Sequence, residues 1–403
     1  MNVLILSWEY PPIVAGGLAR HVRKLSENLV GEGVEVHVLT RGAKDTPREE
    51  LMAGVHVHRV PETPMPKGLD AFLAWVDRMN ADMLKAGAEL AEDADLVHGH
   101  DWLVADAADA LARKAGVPYL TTIHATEYGR HQGWVDKHPQ KHIHAVETWM
   151  ANTADHVITC SHYMRGHVAD IYGLDEANVS VIPNGIDPDD LQPVGDLDDL
   201  RAQFAAPDDR LVLLVGRLVY EKGFQLALEA LPGLIRRLGN VRFLVAGSGT
   251  HEAELKKQAE KLGLMEHGTF LGWIGDDMLH SLYRIADLTV VPSIYEPFGL
   301  VALEAMASGC PCIVADTGGL KEVVPNRDVG LRFRAKSPRS LAHWVERVLT
   351  DPELRDQLVA EASEHVLRFD WADIAVQTAA VYERVAAECP APVAEPASAR
   401  SAR

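Results

Sequence analysis

The chain has 403 residues, of which 47% are hydrophobic, and its formal net charge is −19. This length predicts two or three domains that each bury a core, and the apolar content excludes an intrinsically disordered chain. The negative charge argues against general binding to nucleic acid or to an anionic membrane surface, but it leaves room for one local phosphate pocket.

The chain begins with "MNVLILSWEYPP", which has no basic flank and only a short apolar run. This pattern predicts a first β-strand rather than a signal peptide. No run approaches the ~18 apolar residues that a membrane-spanning helix needs. The four cysteines lack the spacing of a zinc site and are expected to be free thiols in the reducing cytoplasm.

Short aliphatic strands alternate with helical patterns along nearly the whole chain, which is typical of buried parallel sheets. In the first half, the predicted strands are "VLILSW", "VEVHVLT", "VHVHRV", "DLVHGH", "PYLTTIH", "HVITC" and "VSVIP". In the second half, they are "LVLLVG", "VRFLVAG", "GTFLG", "DLTVVPS", "PCIVAD" and "VGLRF". The sequence therefore predicts an α/β protein with two doubly wound, Rossmann-like parallel-sheet domains.

The predicted boundary falls in "PNGIDPDDLQPVGDLDDL", which is rich in Pro, Gly and Asp, as a linker is. We expect one domain over residues 1–185 and a second over residues 186–370. A helix over residues 371–388 follows and could reach back to the first domain. The Pro- and Ala-rich tail, residues 389–403, is expected to be disordered.

Ligands of open α/β sheets bind beyond the carboxyl ends of the strands, so a cleft between the two domains is the expected site. After the first strand, Gly16 and Gly17 open an amphipathic helix, where backbone N–H groups can approach an anion, but a simple turn explains such a pair equally well. After the first strand of the second half, Arg217 and Lys222 bracket a loop that opens another helix. Two cations there suit a diphosphate; the alternative is a pair of solvated surface charges.

The segment "SIYEPFGLVALEAMASG", residues 293–309, contains two glutamates eight positions apart. Glu296 lies on the loop after a predicted strand and is expected to face the cleft. Glu304 is the one charge in an otherwise apolar helix, and a buried carboxylate is costly unless it is paired or hydrogen-bonded. A ribose diol could supply such bonds; a local structural hydrogen bond is the alternative.

His124 follows the strand "PYLTTI" and could form a hydrogen bond or relay a proton in the cleft, whereas a lone histidine is more often structural. Asp101 follows the strand in "HGHDW" and could face the same cleft. Several other histidines occur nearby, including the i,i+4 pair His138 and His142, but no complete ligand set is apparent. We therefore expect no metal site.

Taken together, these residues resemble the retaining nucleotide-sugar glycosyltransferases of the GT-B fold, family 4, with kinship to bacterial glycogen synthases. The resemblance covers about residues 1 to 387. It rests on "EYPPIVAGGLARHV", "HGHDW", "TIHATEYGRHQGWV", "VIPNGID", "GRLVYEKG" and "PSIYEPFGLVALEAMASG". The first and third segments look closest to the α-1,4-glucosyltransferases that build glycogen and methylglucose lipopolysaccharide precursors.

The resemblance implies an acceptor-side first domain and a nucleotide-sugar-binding second domain. In such an enzyme, Glu296 lies beside the donor sugar, His124 hydrogen-bonds that sugar, and Arg217 and Lys222 neutralise the departing diphosphate. The residues expected only to bind substrate are Gly16, Gly17, Asp101, Phe298, Gly299, Leu300 and Glu304, with Glu304 on the nucleotide ribose. The implied reaction moves glucose from ADP-glucose or UDP-glucose to the non-reducing end of an α-1,4-glucan, with retention and without metal or cofactor.

Three alternatives stay open at this stage. One is a family 4 transferase that uses another sugar donor and a non-glucan carbohydrate acceptor. Another is a GT-B-like nucleotide-sugar epimerase, which would share the diphosphate site but need acid and base groups for proton exchange at C2. The last is a sugar-nucleotide-binding protein without activity, against which the intact set of Arg217, Lys222 and Glu296 argues. The sequence does not specify the oligomeric state.

Overall fold

The computed structural model describes residues 1–14, 16–61, 63–66, 68–193 and 195–388. Its first sheet has eight strands in the order β3-β4-β2-β1-β5-β6-β7-β8, and every pairing is parallel except the antiparallel pair β3–β4. These strands are β1 (Asn2–Ser7), β2 (Glu35–Arg41), β3 (Glu49–Met52), β4 (Val55–Val60), β5 (Leu96–His100), β6 (Tyr119–Ile123), β7 (His156–Thr159) and β8 (Val179–Val181).

The second sheet has six parallel strands in the order β11-β10-β9-β12-β13-β14. They are β9 (Arg210–Val215), β10 (Val241–Ala246), β11 (Gly268–Gly272), β12 (Leu288–Val291), β13 (Cys312–Ala315) and β14 (Leu331–Phe333). In each sheet the strand order reverses beside the first strand, between β1 and β5 and between β9 and β12. Crevices for ligands form at such reversal points, beyond the carboxyl ends of the strands.

Edge strand β3 is absent from the sequence prediction. Its residues carry two adjacent glutamates, which seldom indicate a strand. A two-residue turn nevertheless folds β3 back on β4, since Ala53 and Gly54 have φ values of +47° and +84°. Positive φ at both central residues matches the twist of an antiparallel hairpin.

Helices cover the sheets because each has one apolar face. In the first helix, the buried residues include Ala19, Val22, Leu25 and Leu29, a spacing of three to four that puts them on one side. None of the described helices is long and apolar enough to cross a membrane. The helices are α1 (Gly17–Gly31), α2 (Leu69–Ala86), α3 (Ala88–Glu92), α4 (Ala105–Ala115), α5 (Glu127–Arg130), α6 (Gln140–Thr153), α7 (His162–Tyr172), α8 (Leu197–Ala202), α9 (Phe224–Leu238), α10 (Glu252–Lys261), α11 (Asp276–Ile285), α12 (Leu300–Ala307), α13 (Leu320–Val323), α14 (Pro338–Thr350), α15 (Pro352–Val366) and α16 (Trp371–Glu388).

The last helix, α16, lies against the first sheet. Its buried residues Ile374 and Tyr382 belong to the same apolar cluster as Val3 and Val22. The Tyr382 hydroxyl is 2.7 Å from Nδ1 of His98 on β5. The chain therefore crosses between the two sheets a second time after α15; residues 389–403, for which we expected disorder, lie outside the described part.

The two crossings run side by side. The backbone N–H of Ile186 donates to the carbonyl of Phe369 at 2.8 Å. A Cβ atom on Gly185 would lie 2.5 Å from the Trp371 ring, so the indole packs directly on the backbone there. A contact this close needs glycine, and it joins the end of the first domain to the start of the last helix.

Candidate active site

The loop between β12 and α12 contacts the first domain directly. The Ser161 hydroxyl, at the start of α7, donates to the Pro297 carbonyl at 2.6 Å. The Tyr295 hydroxyl accepts from the backbone N–H of Thr126, which follows β6, at 3.1 Å. The carboxyl ends of the two sheets thus meet, and the residues after the strands line the cleft between them.

Glu296 and Lys222 form an ion pair in this cleft. Nζ of Lys222 lies 2.9 Å and 2.8 Å from the two carboxylate oxygens, and the Ser293 hydroxyl donates to Oε2 at 2.9 Å. Gly223 permits the contact: its φ is +71°, and a Cβ there would lie 2.0 Å from the Pro292 carbonyl oxygen. The turn that carries Lys222 therefore packs against the loop that carries Glu296, with the Glu296 residue only 9% exposed.

Arg217 follows β9 and lies open to the cleft. Its pKa is lowered by the dense protein around it and by the positive charge of Arg130. Arg130, at the end of α5, comes from the first domain, and sequence reasoning missed it. Burial opposes the charge of Arg130, but Asp101 and Glu147 outweigh it and raise its pKa. Positive charges from the two domains are thus close enough to influence each other, which would suit a ligand with more than one negative charge.

Glu304 is satisfied by two protein donors. The Tyr283 hydroxyl donates to Oε2 at 2.9 Å, and Nη1 of Arg20, on α1 of the first domain, lies 3.2 Å from Oε1. Arg20 also contacts Asp276. Burial raises the pKa of Glu304, while Arg20 and Tyr283 act in the opposite direction. The single carboxylate in an apolar helix therefore anchors a contact across the cleft, and each of its oxygens retains a further lone pair for a ligand.

His124 and Asp101 are tied together by the backbone. The N–H of His124 donates to Oδ1 of Asp101 at 2.8 Å, and Asp101 has a left-handed φ of +60° in the turn after β5. Burial raises the pKa of Asp101 to about 6, against the charge of Arg130. Burial and Arg130 lower the pKa of His124 to about 3, so its imidazole is neutral at pH 7. A neutral ring here can exchange hydrogen bonds with a sugar hydroxyl but carries no charge.

Two buried histidines contact His124. Nε2 of His124 lies 3.0 Å from Nδ1 of His100, and the His21 ring packs edge-on at 4.7 Å. Nitrogens of these three rings come within 4.8 Å of one another. Because His100 and His124 are hydrogen-bonded to each other, the contact fixes which nitrogen of His124 faces the cleft.

The first residues of helices α1 and α12 lie next to each other. A Cβ on Gly17 would lie 2.7 Å from Cδ1 of Leu300, and Gly16 is open, with nothing within 4 Å of its Cβ position. Gly299, with φ +125°, precedes α12 and gives it no side-chain cap. Phe298 is buried and packs on Phe369 at 5.9 Å, so only its backbone is available to a ligand. Free N–H groups of two helix starts thus border the cleft.

Two family descriptions match the chain. Residues 15–190 match Glycosyltransferase Family 4, and residues 196–365 match Glycosyl transferases group 1. The chain is 39% identical over 402 residues to a glycogen synthase of Mycobacterium tuberculosis, an alignment that covers 95% of this chain and 94% of that protein. The chain belongs to the family 4 glycosyltransferases. It is a glycosyltransferase and is similar to glycogen synthases.

Other relatives and structures place this glycosyltransferase in the same fold. It is 37% identical over 389 residues to an uncharacterised glycosyltransferase of Methanocaldococcus jannaschii, covering 95% of this chain and 98% of that one. It is 34% identical over 381 residues to a D-inositol 3-phosphate glycosyltransferase of Frankia alni, covering 89% and 91%. Sucrose-phosphate synthase of Thermosynechococcus elongatus superposes with a TM-score of 0.79 at 27% identity, covering 96% and 99% of the two chains. The predicted GT-B fold is confirmed.

Proposed function

We propose that this glycosyltransferase moves glucose from ADP-glucose or UDP-glucose to the non-reducing end of an α-1,4-glucan and keeps the anomeric configuration. The glucan assignment rests on the 39% identity to a glycogen synthase over 95% of the chain. The transfer chemistry rests on the charged groups of the cleft, and the observation that carries it is the ion pair in which Nζ of Lys222 lies 2.9 Å and 2.8 Å from the carboxylate oxygens of Glu296.

The cleft supplies positive charge where a diphosphate would leave. Arg217 follows β9, and Lys222 lies on the next turn, where it is paired with Glu296 on the loop that leads into α12. Because the charge of Arg130 lowers the pKa of Arg217, an anion beside Arg217 would stabilise its charged form. Since these groups can neutralise the leaving diphosphate, the step needs no divalent ion, and no cofactor takes part.

The arrangement fits transfer on the face from which the diphosphate leaves. The 4-hydroxyl oxygen of the acceptor bonds to C1 of glucose while the bond from C1 to the diphosphate breaks. The hydroxyl proton passes to a phosphate oxygen. Positive charge that develops at C1 is stabilised by the nearby carboxylate of Glu296, which Lys222 and Ser293 hold in place.

The other site residues have binding roles in this proposal. Neutral His124 hydrogen-bonds a hydroxyl of the transferred glucose, and Asp101 orders the turn beside it. Gly16 and Gly17 present backbone N–H groups from the first domain. Phe298, Gly299 and Leu300 do so from the second, and Glu304 accepts from the ribose diol.

Proton NMR of the product tests the proposal. The enzyme is given ADP-glucose or UDP-glucose, each with a malto-oligosaccharide, and we expect a longer chain with new α-1,4 linkages and one nucleoside diphosphate per linkage. A β-anomeric signal contradicts retention. An altered sugar nucleotide without transfer indicates an epimerase instead.

A second candidate acceptor has a specific basis. The 34% identity to a D-inositol 3-phosphate glycosyltransferase over 89% of the chain makes a non-glucan acceptor the main competitor. The same assay with a labelled donor and inositol phosphate distinguishes the two. Transfer to inositol phosphate, with none to malto-oligosaccharide, keeps the fold and family and removes the glucan assignment.

A further inference from the structure

Three histidines and a glutamate meet on one face of the first sheet. Strands β2 and β4 run parallel with His37 opposite His56, and His58 lies two residues further along β4 on the same face. Glu35 lies two residues before His37, also on that face. These positions lie near the amino ends of their strands, whereas the candidate active site follows the carboxyl ends, so the two sites are separate.

The distances suit a metal ion. Ligand atoms of Glu35, His37 and His56 lie within 4.8 Å of one another. Nε2 of His37 is 3.6 Å from Oε1 of Glu35. That distance is long for a hydrogen bond, but it is close to the ~3.3 Å between two ligands of a tetrahedral zinc ion with bonds of about 2.0–2.1 Å. The His56 side chain is exposed, so its ring can turn from its stacked position on His37, 4.7 Å between centroids, to direct a nitrogen at the ion.

His58 acts as a supporting residue. Its Nε2 lies 3.0 Å from Nδ1 of His37, and the two rings are within 9° of parallel. One of these nitrogens must carry the proton. If Nδ1 of His37 donates to His58, Nε2 of His37 keeps its lone pair toward Glu35. Metal-binding histidines usually hold their second nitrogen in this way.

We propose that Glu35, His37 and His56 bind one zinc ion, with water as the fourth ligand. Two imidazoles and a carboxylate are a donor set that zinc accepts. The carboxylates of Glu49 and Asp93 act on His58 and His37 and add negative charge around the site. A bound ion would join β2 to β4 and stabilise the folded chain by mass action, without a part in glucosyl transfer.

Calorimetric titration of zinc chloride tests this site. The full chain is used without a purification tag, after treatment with chelator and desalting. We expect one zinc per chain and a rise in Tm on saturation. His56→Gln should weaken binding at least ~10-fold, and His58→Gln should weaken it about 10- to 100-fold, as the loss of a supporting partner does. The matched control is His142→Gln, an exposed histidine on α6, which should bind zinc as the wild type does.

Each other result overturns the site. Unchanged affinity in His56→Gln means that the ion binds elsewhere, for example at the buried rings of His21, His100 and His124. Loss of affinity in His142→Gln assigns the ion to the histidines of α6. Absence of both heat and a Tm shift in the wild type rejects zinc binding altogether. The Tm values of His56→Gln and of the wild type, both measured without zinc, should be equal if the variant folds. If these Tm values differ, the titration is repeated with Glu35→Gln, which is also at an exposed position.

Discussion

Glu304→Gln should raise the donor KM about 10-fold and leave kcat nearly unchanged. The substitution removes the charge from a carboxylate that accepts from Tyr283 at 2.9 Å and from Arg20 at 3.2 Å. Hydrogen bonds to a charged group contribute about 1.5–3 kcal/mol, and 1.4 kcal/mol corresponds to a factor of ten. A ribose diol would still find one amide oxygen, so we expect the lower end of this range. The ribose contact changes little between ground and transition state, which confines the effect to KM.

A matched variant separates ribose binding from domain contact. Asp276→Asn removes the negative charge from the other partner of Arg20. The side chains of Arg20 and Asp276 are both more than a third exposed. Exposed ion pairs contribute about 0–1 kcal/mol, so the donor KM should change less than in Glu304→Gln. Initial rates are measured over a range of donor concentrations at saturating acceptor, with thermal unfolding as the check on folding. An unchanged KM in folded Glu304→Gln refutes the ribose contact, and equal rises in both variants assign the effect to Arg20 instead.

Further expected outcomes concern the leaving group, metal and pH. Arg217→Ala or Lys222→Ala should lower kcat ~100-fold or more, which is the scale for losing one preorganised donor. The control Arg236→Ala, at an exposed position, should leave kcat unchanged. Wild-type turnover in Arg217→Ala and Lys222→Ala would remove the catalytic role of these two residues. EDTA should leave turnover unchanged, since the cleft supplies its own cations; full and reversible loss would assign a metal to catalysis. Burial lowers the pKa of His98 in the folded protein to about 3, whereas a histidine in an unfolded chain has a pKa of ~6.5. Between these pH values the unfolded state binds more protons than the folded state, so stability falls as the pH drops from ~6.5 toward about 3. In this pH range His98 changes the free energy of unfolding by about 1.4 kcal/mol per pH unit. When the free energy of unfolding is measured with denaturant at several pH values, its dependence on pH should be weaker in His98→Gln by that amount. The same pH dependence in the variant and the wild type contradicts the assignment.

The strand ends explain why several residues of the candidate site could be placed at the cleft from the sequence. Asp101 and His124 follow directly after a buried strand, and Arg217 follows β9 after Gly216; parallel strands bring their carboxyl ends to one edge. Hydrophobic runs of four to six residues identify such strands without any knowledge of tertiary contacts. Glu304 was found in a different way, as the one charge in an apolar helix. In both cases the signal lies within a few neighbouring residues.

The partners of those residues were not predictable in the same way. Arg20 lies among other charges on an amphipathic helix, and nothing local distinguishes it from a solvated arginine; its contact with Glu304 spans 284 positions. Arg130 has the same difficulty on a four-residue helix. Both act across the interface, so their role depends on how the two domains are placed. The pairing of Lys222 with Glu296, across 74 positions, depends on the close contact at Gly223 in the same way.

The charges of the cleft differ in how they are neutralised, and this difference indicates where an anion binds. Lys222 is held by Glu296, and Arg20 is held by Glu304 and Asp276, so these cations already have carboxylate partners. Arg130 is likewise stabilised by Asp101 and Glu147, which raise its pKa, whereas the pKa of Arg217 is lowered by burial and by the charge of Arg130. A negatively charged ligand gains most beside a cation whose charged form the surrounding protein disfavours. We therefore expect the diphosphate to bind at Arg217, within reach of the charge of Arg130 from the first domain. Since such binding would use a cation from each domain, we expect occupation of the donor site to favour closure of the cleft.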